Sequence, residues 1–364
     1  MLHNKLAEVR HKQGRLLGRM EELGFDLRQE ASLSILTKEV VKSAAIEGEY
    51  LNPEEVRSSL ARYLGIDIGE LIPVSRYVEG MVELMLDAIQ RFSAPLTKKR
   101  LFAWRALLFP TGYIGMHRMA VGEWRTAESG PMQVVSGPIG RRKIHFEAPS
   151  VDRLEQEMRM FLTWFKRWDK LDPVLKSGIA HLWFVTIHPF EDGNGRIARA
   201  IGDMALAGAD GTSDRFYSLS SQIESERLDY YVQLERQQRH TPDITAWLAW
   251  FLDCLGRAIT NADATLESVL FKAKLWKKVD QHTLNKRQYL IINRMLRSDF
   301  QGHMNTSKYA KLAKCSNDTA LRDVQNLRER GILLQNSGGG RSTSYRLIDF
   351  APKNGTLCSA VAND

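Results

Sequence analysis

The sequence predicts a mainly α protein: a long helical body broken once by a β-hairpin, then a smaller unit of three helices and two strands. Three observations carry that expectation. From the start to about residue 265, apolar residues recur at helical spacing between short polar breaks. The run GEWRTAESGPMQVVSGPIGRRKIHFEAPS, residues 122–150, departs from this with two β-prone stretches across a glycine-rich tip. From Thr283 onward the order becomes helix, helix, helix and two strands. A chain of 364 residues is long enough to bury a full core and to divide into two or three units.

Taken in order, residues 2–24 and 33–47 carry charged and apolar residues in a helical pattern, with GFDLRQE as the break between them. YLNPEEVRSSLARYLG opens the next helix, with Asn52 as its cap and Pro53 as its first residue. Segments 70–92, 96–108, 150–169 and 171–187 continue in the same style. Pro149 and Ser150 open the third of these, Asp172 and Pro173 the fourth. Met132 to Val135 and Lys143 to Phe146 form the hairpin. An isolated hairpin is marginal, so this one leans on the helices or is ordered by a partner. TPDITAWLAWFLDCL is apolar at helical spacing, so Trp247, Trp250 and Phe251 read as packing. Residues 266–278 read as a linking helix. Two further helices are capped at Asn305 or Thr306 and at Asn317. The last has Leu321, Val324 and Leu327 as its apolar stripe and stops at Gly331. Ile332 to Gln335 and Thr343 to Leu347 then pair across NSGGGRS.

Composition narrows the function classes. A hydrophobic content of 43% with 26% charged residues fits an ordinary globular chain rather than a disordered one. No long uninterrupted apolar run and no signal-peptide core are present, which predicts a cytoplasmic protein with no membrane partner. Cys254, Cys315 and Cys358 share no metal-ligand spacing and no disulfide framework. The net charge of +8 suits an anionic ligand or nucleic acid, and plain solubility accounts for it as well.

The run HPFEDGNGRIAR, residues 188–199, demands a chemical reading. It lies between the apolar IAHLWFVTI and a helix carrying Ile197, Ile201 and Met204. Gly193, Asn194 and Gly195 offer consecutive amides at a helix start, a nest for polyphosphate. Arg196 lies in the first turn with forked donors for phosphate oxygens, and Arg199 shares its face. Asp192 at the mouth can hold a divalent cation that bridges phosphates. His188 is placed to act as a general base, and Phe190 to pin the loop to the core. Each piece alone is common in turns. The combination points to a nucleotide.

In this run the chain resembles the Fic family, whose motif is His-x-Phe-x-Asp/Glu-Gly-Asn-Gly-Arg-x-x-Arg. His188, Phe190, Asp192, Gly193, Asn194, Gly195, Arg196 and Arg199 match every fixed position. The resemblance implies transfer of AMP from ATP to a Ser, Thr or Tyr hydroxyl of a target protein, with release of pyrophosphate. It implies His188 as the base, Asp192 as the Mg²⁺ ligand, Gly193, Asn194 and Gly195 as the anion hole, and Arg196 on the phosphates. It also implies a flap that aligns the target by strand addition: here Met132, Gln133, Val134, Val135, Ser136 and Gly137, opposite Ile144 to Phe146. Upstream, SAAIEG resembles the family's inhibitory motif, with Ser43, Glu47 and Gly48 at its fixed positions. There Glu47 is implied to pair with Arg199 and deny it to the γ-phosphate; a solvated helix end is the plain alternative. Adenine recognition falls to Tyr231 or Tyr230 in LDYYVQLERQQR, with Tyr231 favoured by the analogy.

The C-terminal pattern resembles a winged helix-turn-helix domain over roughly residues 283–349, with Asn317 to Arg330 as the recognition helix. DNA is therefore a candidate partner, although Asp318, Asp323 and Glu329 offset Arg322, Arg328, Arg330 and Arg341. The expected fold is a helical Fic core with a β-hairpin flap, followed by this winged helix. Its expected division is 1–95 for an N-terminal helical region holding the inhibitory helix, and 96–265 for the core with its flap at 131–146. Residues 266–282 form the linking helix, 283–350 the winged helix and 351–364 a tail. The resemblance further implies self-modification and a homodimer. Two other functions stay open: a DNA-binding regulator that senses nucleotide, and removal of AMP with Glu47 orienting water.

Overall fold

The computed structural model describes residues 2–348 apart from 70, 115–116, 119–121, 128–129, 137–142, 168–170, 240–241, 280–282, 297–299, 301 and 338–342. The hairpin tip with Gly137, and Arg341 of the second unit, lie outside the described residues. The chain forms two compact units, Met1–Thr265 and Leu266–Asp364. The fold is predominantly helical, and each of the three sheets among the described residues is a two-stranded antiparallel pair. No described helix is long and apolar enough to cross a membrane.

The first unit opens with α1 (Leu2–Glu21), α2 (Phe25–Ile46) and α3 (Pro53–Leu64). Helix α2 starts eight residues before the expected Leu33, because Gly24 is already its cap and GFDLRQE joins the helix rather than breaking it. Asn52 caps α3 through the Glu54 amide, with Pro53 at its first position. Next come α4 (Arg76–Gln90) and α5 (Lys98–Leu108), then β1 (Tyr113–Ile114) paired with β2 (His117–Arg118). The hairpin is β3 (Gln133–Ser136) against β4 (Lys143–Glu147), with a register shift between Val134 and Val135. Helices α6 (Val151–Phe165), α7 (Pro173–Ile187), α8 (Asn194–Asp210), α9 (Leu219–Ser225) and α10 (Arg227–Arg239) follow. The long α11 (Thr245–Lys278) runs in sequence across the boundary between the units.

Helices α7 and α8 make the most extensive pairing of the first unit. Residues Arg196 to Ala207 of α8 are all buried, so this helix is covered on every face. Helices α2, α4, α5 and α7 all pack against it. Helix α2 is locked along its length by Glu39, a buried carboxylate that accepts from Ser218 Oγ at 2.6 Å and from the Ser220 amide at 3.1 Å. That bond caps α9 and fixes α2 one turn before Ser43.

The second unit holds α12 (Lys286–Met295), α13 (Thr306–Ala313), α14 (Asn317–Glu329), β5 (Leu333–Gln335) and β6 (Tyr345–Leu347). Ile291, Ile292, Tyr309, Val324, Leu327 and Leu333 make its core. Two sequence expectations are corrected here. Ser316, not Asn317, is the cap of α14, its hydroxyl accepting from the Thr319 amide. Leu321 is exposed, and Ala320 takes its place beside Val324 and Leu327. Asp323 faces inward, where Arg287 at 2.8 Å, Asn285 at 2.8 Å and the Tyr309 hydroxyl at 3.1 Å satisfy it. One buried carboxylate thus joins three helices.

Candidate active site

Helix α7 ends at His188, whose backbone turns left-handed (φ 52°, ψ 58°) while its amide still bonds the Phe184 carbonyl. Such a conformation costs a non-glycine residue about 1 kcal/mol, so it persists where surrounding contacts enforce it. Those contacts come from two buried arginines. Arg125 donates from Nε to the His188 carbonyl at 2.8 Å and from its amide to Pro189 at 2.9 Å. Arg105 donates from NH1 to the Asp192 carbonyl at 2.7 Å and lies over the Phe190 ring at 4.9 Å. Burial pushes the Arg105 pKa down to about 10. Phe190 is fully buried against Trp124 and Phe102, a contribution of about 1.5–3 kcal/mol. Asn194 closes the loop from inside, its side chain exchanging two hydrogen bonds with the Phe190 backbone at 2.7 and 3.0 Å. Its side chain is thereby used, and only its amide faces a ligand.

The His188 ring is held by Nδ1, 3.0 Å from the Val185 carbonyl. A carbonyl only accepts, so Nδ1 carries the proton and Nε2 keeps its lone pair. Burial holds the ring's pKa below the ordinary histidine value; the Val185 bond opposes this and Arg125 reinforces it. The result is a neutral imidazole with a free basic nitrogen.

At the other end of the loop α8 begins, and its first amides have no carbonyl within the helix. A carboxylate occupies this place. A methyl group added to Gly195 would stand 2.1 Å from Oε1 of Glu47, so only the missing side chain lets the acid approach so closely. The same Oε1 is 2.8 Å from NH1 of Arg199, which is almost wholly buried. The contact has the distance of an ion pair without the angle of a hydrogen bond. Arg199 is completed by Ser43, which accepts from Nε at its hydroxyl (2.9 Å) and from NH2 at its carbonyl (2.8 Å). Burial works against the Arg199 charge, and the Glu47 carboxylate together with Tyr230 and Tyr231 outweighs it, leaving the pKa above its ordinary value.

Glu47 reaches this position because α2 ends in a six-to-one turn: the Glu49 amide bonds the Ala44 carbonyl at 3.1 Å and the Gly48 amide bonds Ala45 at 3.0 Å. Gly48 has φ 84°, a value that glycine adopts without strain. Beyond it lies a residue the sequence reading did not single out. Glu49 Oε2 is 2.8 Å from NH1 of Arg196, and the same NH1 donates to the Tyr77 hydroxyl at 2.6 Å. That hydroxyl in turn donates to Glu49. The signal was available in SAAIEGEY as a second acid two residues past the first, but its partner is 147 positions away.

Tyr231 donates to the Ile46 carbonyl at 3.0 Å and is 37% exposed, so its ring borders the site. Tyr230 is fully buried, with its hydroxyl 2.9 Å from Nε2 of His181 and its ring beside Trp247 and Trp250. It packs the core, and Tyr231 is the more exposed ring of the two. Asp192 is half exposed; its Oδ1 accepts from the Gly193 amide at 2.5 Å and lies 3.6 Å from NH2 of Arg196. The described residues hold no cluster of three metal-ligating side chains. A single carboxylate beside a helix start fits Mg²⁺, an ion that proteins hold through one or two carboxylates while it keeps most of its waters. The hairpin stands on α10, where Glu235 meets His145 at 2.7 Å and Arg239 donates to the carbonyls of Ile144 and His145. That contact takes β4. Val134 and Val135 of β3 are exposed, and β3 pairs with no second strand among the described residues. Met132 anchors the start of the strand by accepting from the Ala148 amide at 2.9 Å.

Comparison with known proteins places this geometry. Residues 95–206 match the Fic/DOC family, and residues 1–66 match a domain of unknown function, DUF4172. A protein adenylyltransferase of Caenorhabditis elegans is 28% identical over 169 residues, 46% of this chain and 31% of that protein. One from Nematostella vectensis is 30% identical over 43% of this chain and 33% of its own length. One from Culex quinquefasciatus is 26% identical over 71% and 47%. The chain thus spans about a third to a half of the curated relatives it matches. Among solved structures, a Fic family protein from Desulfovibrio desulfuricans shares the fold at TM-score 0.53 and 21% identity, covering 97% of both chains. A Fic-domain signaling protein from Bacteroides thetaiotaomicron does so at TM-score 0.53 and 21% identity, covering 71% of this chain and 97% of its own.

Proposed function

We propose, for a chain whose residues 95–206 match the Fic/DOC family, that it is an autoinhibited protein adenylyltransferase. It moves AMP from ATP to a Ser, Thr or Tyr hydroxyl of a protein, its own chain included. The observation that carries this reading is the Glu47 carboxylate seated on Gly195 and paired with Arg199. A site that draws an acid onto a helix N-terminus between two buried arginines is built for an anion, and His188 offers a neutral base on the same loop.

The target hydroxyl gives its proton to Nε2 of His188 as its oxygen bonds the α-phosphorus. The bond from that phosphorus to the bridging oxygen breaks, and pyrophosphate leaves with the electron pair. Of the expected trio Gly193, Asn194 and Gly195, the first has its amide on Asp192 Oδ1, so charge growing on the α-phosphate meets the amides of Asn194 and Gly195, with that of Arg196 next in the turn. Gly193 contributes the turn that sets them in line. Arg196 and Arg199 take the outer phosphates once the acids withdraw. Asp192 would hold the Mg²⁺ carried by the nucleotide, whose charge offsets that of the phosphates. Tyr231 flanks the adenine. Met132, Gln133, Val134, Val135 and Ser136 present the β3 edge to an extended target segment.

For residues 283–350 we propose a winged helix that contacts protein, within a homodimer, rather than DNA. On α14, exposed Arg322 and Arg328 are matched by exposed Asp318 and Glu329, a balance that gives a phosphate backbone little attraction. The test of the reaction is intact-mass spectrometry of Glu47→Gly incubated with lysate protein, ATP and Mg²⁺. The expected products carry one AMP and vanish when His188→Ala is added. Products carrying a bare phosphate, or none at all, would overturn the assignment.

A further inference from the structure

Glu49 lies on the same turn as Glu47, yet it meets a different arginine. Its Oε2 stands 2.8 Å from NH1 of Arg196, and Tyr77 of α4 bridges the two, accepting from Arg196 and donating to Glu49. Arg196 is buried and lies 5.3 Å from the Phe109 ring centroid. Its Nε has no hydrogen-bond partner among the described residues, so the guanidinium is held at one corner and left unsatisfied at another. A ligand with several oxygens would serve it better than one carboxylate does. Three acids, Glu47, Glu49 and Asp192, crowd these two arginines. Burial raises the pKa of Glu49, as do the charges of Asp192 and Glu47, while Arg196 lowers it. Adding a polyanion to this group without moving an acid would set like charges side by side.

We propose that Glu49 is a positioning residue that holds Arg196 away from the nucleotide, so that Glu47 and Glu49 form a two-pronged plug released as one turn. The inference rests on the reading above, in which the N-terminus of α8 receives the phosphates of ATP. The two prongs share one hinge, since Gly48 separates them and the Ala44 and Ala45 carbonyls close the turn. Tyr77 belongs to α4 and stays behind when the turn leaves. Its hydroxyl then remains on Arg196 and loses only Glu49.

The alternative is that Glu49 aims Arg196 productively, and the two ideas differ in sign. The test measures the ATP dissociation constant by calorimetry with Mg²⁺ on the full chain, for wild type, Glu49→Gln and Tyr77→Phe. Removing the carboxylate should tighten ATP roughly two- to fivefold, the range of a partly exposed ion pair. Tyr77→Phe changes no charge and should tighten it less, in the same direction, which separates a specific contact from a general loss of negative charge. In transfer assays Glu49→Gln should exceed wild type. Glu47→Gly with Glu49→Gln should gain less than the product of the single effects, because one turn carries both prongs. Unchanged or weaker ATP binding by Glu49→Gln, no shift in Tyr77→Phe, or slower transfer at saturating ATP in the double variant would each overturn the proposal. Were Glu47→Gly to transfer AMP to no protein, the reaction reading would fail, while the binding constants would still decide the role of Glu49.

Discussion

Because Val185 offers its carbonyl to Nδ1 of His188, the proton of that ring is placed and Nε2 is the basic atom. Two outcomes follow at this scale. His188→Ala should lower AMP transfer by roughly 10²–10⁴-fold, the usual span for a general base, and leave ATP affinity within a few fold; retained transfer would remove His188 from the mechanism. The pKa of the ring lies below the ordinary 6.5. Lowering the pH through 6.5 therefore leaves Nε2 unprotonated, and the acidic limb of kcat/KM against pH should fall below that value. A limb at or above 6.5 would contradict the buried, neutral base. Residue identity was the most legible layer of the sequence, since His188, Asp192, Gly195, Arg196 and Arg199 each announce a chemistry by type and order. Arg105 and Arg125 were not legible. They work through main-chain oxygens 87 and 63 positions away, and a lone arginine in a helix or loop gives no sign of such a target.

At the scale of elements, the proposed gate of the site is the turn closing α2. Gly48 sits at φ 84° with open space around it, so Gly48→Ala meets no clash and only backbone strain, about 1–2 kcal/mol. That strain acts on the closed turn alone. We expect Gly48→Ala to raise wild-type AMP transfer up to roughly tenfold, with Tm little changed; transfer equal to wild type in a quantitative mass assay would show that the turn does not gate the site. Helix existence and caps were readable from apolar spacing and from Asn52, Asp172 and Asn305, whose side chains accept from their own first-turn amides. The start of α2 was not. Gly24 and Asp26 look like a break, and the helix forms because Ala31, Leu33, Ile35 and Leu36 are buried further along it. In α14, charge suggested that Asp323 faces solvent, whereas tertiary pairing with Arg287 draws it inward.

Across the whole molecule, every residue placed at the site belongs to Met1–Thr265, although these residues come from α2 and the turn after it, α4, α5, the loop holding Arg125, the β3–β4 hairpin, the α7–α8 loop, α8 and α10. A chain ending after residue 265 and carrying Glu47→Gly should therefore keep AMP transfer, measured by intact mass on the same substrates; a folded fragment without activity would make the second unit part of the catalytic body. The proposed phosphate nest was readable at a glance, since the twelve consecutive residues from His188 to Arg199 supply it. The plug was readable only in part: SAAIEG carried Glu47, while Glu49 and Tyr77 become partners of Arg196 through the packing of α2 and α4 beside α8. The central claim is that Glu47 silences the enzyme by occupying Arg199 and the face of Gly195. Its most direct test compares initial AMP-transfer rates of wild type and Glu47→Gly at one Mg²⁺ concentration and saturating ATP, with the ATP dissociation constant measured for both. A displacement of about 1 Å at the reacting atoms costs on the order of a hundredfold in rate. The account predicts a gain of that order in Glu47→Gly with ATP affinity altered only a few fold, and equal initial rates for the two proteins would contradict it.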